Sequence, residues 1–209
     1  MVRLIAGRHT LESVQTLLEQ YQLKVSRGPT YYAYRPTTDC NWVTVEDLGL
    51  AVLFEGQPRS RAAQTLVDTP VNVSRIPSIP LHETSEADRA VIVDGIMELV
   101  GRRGSGFASS LATKVLHKKR PATVPVLDNA AIYATLCSAT WERGTVPRGA
   151  TVRDHKRIAE ALGRVHAVVS DPANTAAWET LESEWLTLTR IEVFDMAWWA
   201  YVRCLDSSD

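Results

Sequence analysis

The chain has 209 residues, of which 45% are apolar and 22% are charged, and this composition suits one domain with a sizeable core. The net charge of −1 gives no overall attraction for a polyanion. No stretch approaches the roughly 18 uncharged apolar residues that a membrane span needs, and residues 1–9 lack the long apolar region of a signal peptide. We therefore expect a cytoplasmic protein with no membrane partner.

The three cysteines, Cys40, Cys137 and Cys204, lie far apart in the chain. No pair has the Cys-x-x-Cys spacing that is common in zinc sites and iron–sulfur clusters, and the histidines have no ligand-type neighbours. We expect reduced thiols, no bound metal and no other cofactor.

Apolar residues recur at helical spacing along most of the chain. Thr10 is placed to cap a first helix, whose apolar side is formed by Leu11, Val14, Leu17 and Leu18. Further helices are predicted at residues 44–54, 60–67, 84–100, 108–119, 153–169 and 178–202.

Two stretches are predicted to be extended. Tyr31, Tyr32 and Tyr34 lie between two prolines in a segment that suits one strand or an extended loop, and residues 70–82 contain three prolines and form a connector. Because no convincing run of alternating strands is present, we predict an all-α (mostly α) fold, a two-lobed helical bundle. Residues 1–209 are expected to form a single domain, with lobes at residues 1–75 plus the C-terminal helices and at residues 84–170.

The most informative stretch is residues 102–128, which follow a helix. Their pattern predicts a short glycine-rich turn, a second helix, an extended proline-containing link and an aspartate at the start of another helix. Residues 102–127 carry six cations and no acid, which leaves the rest of the chain acidic. A basic segment inside an acidic protein predicts a local anion-binding surface, with a solvated helix face as the alternative.

Each part of this pattern suits contact with a phosphate group. Glycines permit an unusual backbone and close approach, and the following helix N-terminus offers unpaired N–H groups with a partial positive charge. The candidate DNA-binding residues are Gly104, Ser105, Gly106, Ala108, Ser109, Ser110, Lys114, Lys118 and Lys119. An ordinary corner between two helices, with glycine as a cap, is the alternative.

The run from Gly106 to Leu116, followed by residues 124–128 (Val-Pro-Val-Leu-Asp), resembles the signature of helix-hairpin-helix DNA glycosylases. That family has a Gly-hydrophobic-Gly hairpin, a helix of small residues and then a Pro-hydrophobic-hydrophobic-Asp segment. The resemblance covers roughly residues 100–135 and is weak elsewhere. The chain also resembles short actinobacterial proteins that share a Lys-Val-Leu-His-x-x-Arg-Pro…Pro-x-x-Asp motif.

The resemblance implies roles for individual residues. Asp128 matches the catalytic aspartate, whose carboxylate stabilises the positive charge that develops on the sugar as the glycosidic bond breaks. Ser110 matches the position of the lysine nucleophile in bifunctional members, which implies a monofunctional enzyme. The chain departs from the family at Ala108, which replaces the second hairpin glycine, and at residues 129–131 (Asn-Ala-Ala). The iron–sulfur cysteines of some branches are also absent.

The expected function is therefore that of a monofunctional DNA glycosylase, which cleaves a damaged or modified base flipped out of double-stranded DNA and leaves an abasic site. Host repair and defence against modified foreign DNA are the two expected settings. A non-enzymatic helix-hairpin-helix DNA-binding protein and a helical scaffold without a nucleic-acid role are the alternatives. No obligate protein partner is evident.

Aromatic residues provide a candidate base pocket. Tyr31, Tyr32 and Trp42 are suited to stacking on a base, with a packed edge of the core as the alternative. Trp198 and Trp199 are predicted to lie in the core. Asp195 and Arg190 are five residues apart and do not face each other as an i, i+4 pair would, so a pairing elsewhere and a place in a pocket lining are both left open for Asp195.

Overall fold

Helices dominate the computed structural model, which describes residues 2–25, 28–49, 60–101 and 106–205. Within these ranges 58% of the residues are helical and 5% lie in strands, so the predicted all-α class is confirmed. In the same ranges, no helix is both long enough and apolar enough to cross a membrane.

The N-terminal part of the chain combines short strands with short helices. Its elements are β1 (Leu4–Ala6), β2 (His9–Leu11), α1 (Val14–Lys24), α2 (Gly28–Ala33), β3 (Trp42–Val43), a 3₁₀-helix (Val45–Asp47), α3 (Ser60–Asp68) and β4 (Val71–Asn72). β1 pairs with β2 and β3 pairs with β4, both antiparallel. The pairs Leu4–Leu11 and Val43–Val71 stand opposite each other and are buried, so each small sheet turns one apolar face to the core.

The remainder of the chain is helical. Its elements are a 3₁₀-helix (Leu81–Glu83), α4 (Glu86–Val100), α5 (Ser109–Lys119), a π-helix (Asn129–Leu136), α6 (His155–Val169), a 3₁₀-helix (Pro172–Asn174), α7 (Thr175–Glu184) and α8 (Arg190–Val202). Reciprocal capping boxes start two of these helices, Ser85 with Asp88 at α4 and Thr189 with Glu192 at α8.

Three local predictions are wrong. The tyrosine segment forms α2 rather than a strand or loop, because Pro29 lies in the first turn, where its missing N–H has no helical partner in any case. Thr10 lies in β2, and the first helix begins at Val14. The stretch 178–202 forms two helices rather than one, because the Thr189 capping box starts a new helix.

Two further points concern the N-terminal part. The two small sheets were not predicted, since strands of two or three residues are too short to show an alternating pattern. The predicted helix at residues 44–54 begins as a 3₁₀ turn, and residues 50–54 lie outside the described residues.

Buried apolar side chains in the described ranges form one hydrophobic cluster. α1 packs along α8, and α4 packs against α5 and α6. α6 also contacts β1 and α8, which joins the two groups of helices. The boundaries of the two lobes remain a prediction.

Two cations at the end of α5 tie this helix to the N-terminal part. Lys119 Nζ lies 2.8 Å from Asp47 Oδ1, and both side chains are buried. Asp47 also accepts a hydrogen bond of 2.8 Å from the N–H of Thr44. Arg120 donates to the backbone carbonyl of Cys40 at 2.7 Å. The end of α5 is therefore enclosed by protein.

Replacement of Asp47 by alanine is expected to destabilise the protein by about 3–5 kcal/mol, because it leaves the buried ammonium group of Lys119 without its anion. The measurement is the free energy of unfolding in urea. Glu160→Ala is the matched control, since its 3.9 Å pair with Arg164 is exposed and is expected to contribute less than about 1 kcal/mol. Equal losses in the two variants would contradict a structural role for the buried pair.

Candidate active site

A buried extended link, residues 124–127, connects α5 to the π-helix. No strand of the described residues pairs with it. The Val124 N–H donates to the Arg120 carbonyl at 2.9 Å and the Val126 carbonyl accepts the Asp128 N–H at 3.0 Å. Side chains satisfy three further polar groups of its backbone. The bonds are His117 Nδ1–H to the Val124 carbonyl (2.7 Å), the Val126 N–H to Asp195 Oδ2 (3.2 Å) and the Leu127 N–H to the Thr113 hydroxyl (3.0 Å). Because a carbonyl only accepts, Nδ1 of His117 carries a hydrogen. Helices α5 and α8 therefore hold the link from two sides.

Asp128 follows this link and caps the π-helix. Its Oδ1 accepts the N–H groups of Ala130 at 2.8 Å and Ala131 at 2.9 Å. The predicted position of Asp128 at a helix start is thus confirmed. Negative charge is favourable at a helix N-terminus, and the two bonds fix the orientation of the carboxylate. π-helical turns are rare and are often found at functional sites.

Asp128 lines a narrow recess between the link, the π-helix, α2 and α8. The lining residues are Tyr32, Val126, Asp128, Ala131, Ile132, Asp195, Trp198 and Trp199. The recess measures about 240 Å³ with its opening to solvent, and its inner space has room for about one water molecule. Three aromatic side chains therefore surround two carboxyl groups.

Asp195 is the second carboxyl group of the recess and is 7% exposed. Burial raises the pKa of Asp195 well above its ordinary value, and the hydrogen bond from the Val126 N–H opposes this rise only in part. The negative charges of Glu192 and Asp128 raise the pKa of Asp195 further. The surroundings therefore favour the protonated form.

Next to the link lies an ionic cluster of Arg35, His117, Lys118 and Glu192, in which Arg35 is exposed and the other three residues are buried. Glu192 Oε1 lies 3.1 Å from Arg35 Nη1 and 3.5 Å from His117 Nε2, and Oε2 accepts the Thr189 N–H at 2.9 Å. Burial by itself raises the pKa of Glu192, but the hydrogen bond and charge of His117, with Thr189 and Arg35, outweigh burial and lower the pKa. Glu192 is thus the anionic centre of the cluster.

Lys118 is the least satisfied member of the cluster. It is 4% exposed, and its Nζ lies 3.9 Å from the ring centroid of Tyr31 and 5.5 Å from that of Tyr32. Nζ has no hydrogen-bond acceptor among the described residues. Burial lowers the pKa of Lys118 to about 7, although the charge of Glu192 opposes this. The cation–π contact offsets only part of the cost of burying the charge.

The structure contradicts the predicted basic face on α5. Lys114, Lys118, Lys119 and Arg120 are all at most 8% exposed. These side chains are therefore not available to phosphate groups, and the alternative of a solvated helix face is wrong as well. The reason is that the N-terminal part of the chain encloses α5 and supplies oxygen and aromatic partners to its cations.

The hairpin turn is described only in part, since Gly104 and Ser105 lie outside the described residues. Gly106 has φ +73°, a conformation that favours glycine. A Cβ at this position would lie 2.9 Å from the backbone nitrogen of Ala62. The close approach to another backbone that the glycines predicted is made to α3.

The residues at the start of α5 differ in their exposure to solvent. Ser109 is fully buried and its N–H donates to the Val152 carbonyl at 3.0 Å, so Ser109 is not available to a phosphate group. Ala108 and Ser110 are half-buried and retain access to solvent.

Of the three candidate base-pocket residues, Tyr32 alone lines the recess. Tyr31 is fully buried in the core next to Lys118, and Trp42 lies on β3, 41% exposed and away from the recess. Tyr31 and Trp42 are therefore not part of the recess, whose other aromatic lining residues are Trp198 and Trp199. Trp198 is fully buried, as predicted for a core residue, whereas Trp199 is half-buried.

Sequence reasoning left open whether Asp195 lines a pocket, and it missed the contribution of Trp198 and Trp199 to the recess. Asp195, Trp198 and Trp199 are spaced i, i+3 and i+4, so they share one face of the helix. An acid with two tryptophans on one helical face is a signal that the sequence contains. The same spacing places Thr113 and His117 together on the side of α5 that faces the link.

In the described ranges, no group of three or more His, Cys, Asp or Glu side chains is arranged to hold a metal ion. The three cysteines form no disulfide there, and Cys40 is exposed.

A family model matches residues 11–202, from the end of β2 to the end of α8. The chain belongs to the family of unknown function DUF6308. No curated protein and no solved structure matches this DUF6308 member. The matched range contains every residue of the recess and of the ionic cluster, so both lie within the region that defines DUF6308.

In this DUF6308 member, Lys118→Met is expected to raise the free energy of unfolding at pH 7 by about 1 kcal/mol or more, because it removes a buried charge. The folded pKa of about 7 lies below the ordinary value of 10.5. Between these values the unfolded chain binds more protons, so wild-type stability rises with pH. The advantage of Lys118→Met is therefore greatest below pH 7 and disappears toward pH 10.5.

Urea unfolding at several pH values measures this effect. Lys156→Met, at an exposed position of α6, is the control and should follow the wild-type pH dependence. A constant difference between Lys118→Met and wild type across this range would contradict the lowered pKa of Lys118.

Proposed function

We propose that this protein is a monofunctional DNA glycosylase, which hydrolyses the N-glycosidic bond of a damaged or modified base flipped out of double-stranded DNA and leaves an abasic site. The observation that carries the proposal is Asp128, oriented by the π-helix cap beside a recess with three aromatic side chains. Host repair and defence against modified foreign DNA, both in the cytoplasm, are the proposed settings.

The chemistry of the recess supports this reaction. Cleavage of an N-glycosidic bond builds positive charge on the sugar, and a carboxylate fixed nearby stabilises that charge. Asp128 is held by two backbone N–H groups, so it needs little reorganisation when the charge develops. The inner space of the recess has room for about one water molecule, and in this proposal the same carboxylate deprotonates a water that enters there.

Base binding requires the recess to widen. A flipped base is much larger than one water molecule, so at least one wall must move when DNA binds. Trp199 is the half-buried aromatic member of the lining and is the candidate for this movement. Tyr32 and Trp198 are fixed in the core and would form the stacking surface.

The burial of the α5 cations removes the phosphate contacts on which a non-enzymatic module of this kind would depend. A glycosylase that acts on duplex DNA needs phosphate contacts as well, and in this proposal the half-buried start of α5, at Ala108 and Ser110, supplies them. The recess beside Asp128 is what favours an enzyme over a binding module.

Asp128→Asn is expected to reduce base release by about 100-fold or more, because the amide keeps the helix cap but loses the negative charge. The assay is base release from duplexes that each carry one damaged or modified base. Product DNA should contain an intact abasic site, and borohydride should trap no covalent adduct, because Ser110 offers no amine.

A second measurement does not require the substrate to be known. Wild type should bind a duplex with a cationic pyrrolidine in place of one nucleotide more tightly than a duplex with a neutral tetrahydrofuran, and Asp128→Asn should lose this preference. Asp154→Asn is the matched control, since Asp154 caps α6 in the same way outside the recess. If wild type releases no base and shows no preference for the cation, the proposed function is wrong.

A further inference from the structure

Asp195 occupies an unusual position for an acidic side chain. It lines the recess together with Asp128 and is 7% exposed. One oxygen, Oδ2, accepts the Val126 N–H at 3.2 Å. The other, Oδ1, is buried and has no hydrogen-bond partner among the described residues. One carboxyl oxygen is thus hydrogen-bonded to the backbone, and the other can form a hydrogen bond to a group that enters the recess.

The groups around Asp195 would not stabilise a negative charge on its carboxyl group. Asp128 at the start of the π-helix and Glu192 on α8 are both acidic and act against ionisation of Asp195. The phenols of Tyr31 and Tyr32 on α2 are the other titratable groups that interact with it. Arg35 and Lys118, the cations of the neighbouring cluster, act on Glu192.

We propose that Asp195 is the general acid of the reaction, which protonates the departing base through its unpaired oxygen, and that the substrate is a base that leaves poorly as an anion. This inference rests on the proposed glycosylase function. It follows from the position of Asp195 in the lining beside Asp128 and from its buried, unpartnered Oδ1, which a base that widens the recess would reach.

The proton balance of the step is complete. The bond between C1′ and the base nitrogen breaks with its electron pair moving to the base, and Asp195 transfers its proton to the base as this happens. Water forms the new bond to C1′ and gives a proton to Asp128. The products are the free base and an abasic sugar hydroxyl. The two carboxyl groups have exchanged protonation states, and proton exchange with solvent restores them.

The need for an acid defines the class of substrate. Bases that form a stable anion at the glycosidic nitrogen, such as uracil, can leave without protonation. Bases with a basic ring nitrogen that accepts a proton before the bond breaks, such as adenine and cytosine derivatives, gain most from an acid. The burial that keeps Asp195 protonated therefore suits modified adenine- or cytosine-type bases and gives little advantage with uracil-type bases.

Asp195→Asn is the test variant, because its amide oxygen can still accept the Val126 N–H while the proton donor of a carboxyl group is lost. Base release is measured on duplexes that each carry one modified adenine, modified cytosine or uracil. Release of adenine- or cytosine-type bases should fall by about 100-fold or more, and release of uracil, where wild type releases it, should change little. Asp128→Asn should reduce release of every base.

The pH dependence of base release is a second readout. It can be measured on wild type alone if Asp195→Asn does not fold. Wild-type release of an adenine- or cytosine-type base should fall as the pH rises and Asp195 loses its proton. Asp47→Asn is the matched control, a buried carboxyl group outside the recess, and it should lower stability but keep the wild-type pH profile. A wild-type rate that does not fall at high pH overturns the proposal.

Infrared difference spectroscopy gives a readout that does not depend on activity. At neutral pH, wild type should show the carbonyl band of a protonated buried carboxyl group, and Asp195→Asn should lack it. Absence of the band in wild type overturns the assignment of Asp195 whatever the activity. Base release that is the same in Asp195→Asn and wild type overturns it as well, while the glycosylase proposal stands. If wild type releases no base at all, the proposed function fails first and this inference fails with it.

Discussion

The backbone of residues 124–127 is the constraint on which the candidate site depends, because it is buried and extended without a partner strand among the described residues. An unsatisfied buried backbone group costs about 1–3 kcal/mol, so neighbouring helices must supply partners. His117 and Thr113 on α5 and Asp195 on α8 do so. These three bonds fix α5 relative to α8 and set where the chain emerges at Asp128. The position of the carboxylate thus follows from the hydrogen bonds of the preceding backbone.

The cations of α5 turn inward for a related reason. The N-terminal part of the chain offers them the Asp47 carboxylate and several backbone carbonyls, which replace the water that these cations lose. The attraction within a buried ion pair offsets only part of the free energy that its two groups lose on leaving water. Such pairs therefore determine how α5 is oriented more than they stabilise the fold. Lys118 is the extreme case, since it has the face of Tyr31 and no hydrogen-bond acceptor in the described ranges. A strongly perturbed group of this kind is more common near functional sites than elsewhere.

The recess brings together two carboxyl groups with different surroundings. Asp128 receives two N–H groups at a helix start, whereas Asp195 is buried beside acidic neighbours. Surroundings that separate the protonation of neighbouring acids are a general basis for dividing acid and base roles between them. The aromatic walls exclude water and lower the local dielectric constant. This strengthens the hydrogen bonds of the two N–H groups to Asp128 and the effect of burial on Asp195.

The sequence by itself determined the helical class, the limits of α4, α5 and α6 to within a few residues, and Asp128 as a helix cap, because periodicity and capping depend on residues close together in the chain. Tertiary structure alone decided which face of α5 is buried and which residues form the recess. The α8 side chains that complete the recess lie more than sixty residues from the link in sequence. Helical spacing shows that residues share a face, but the partner of that face is set by packing between distant segments.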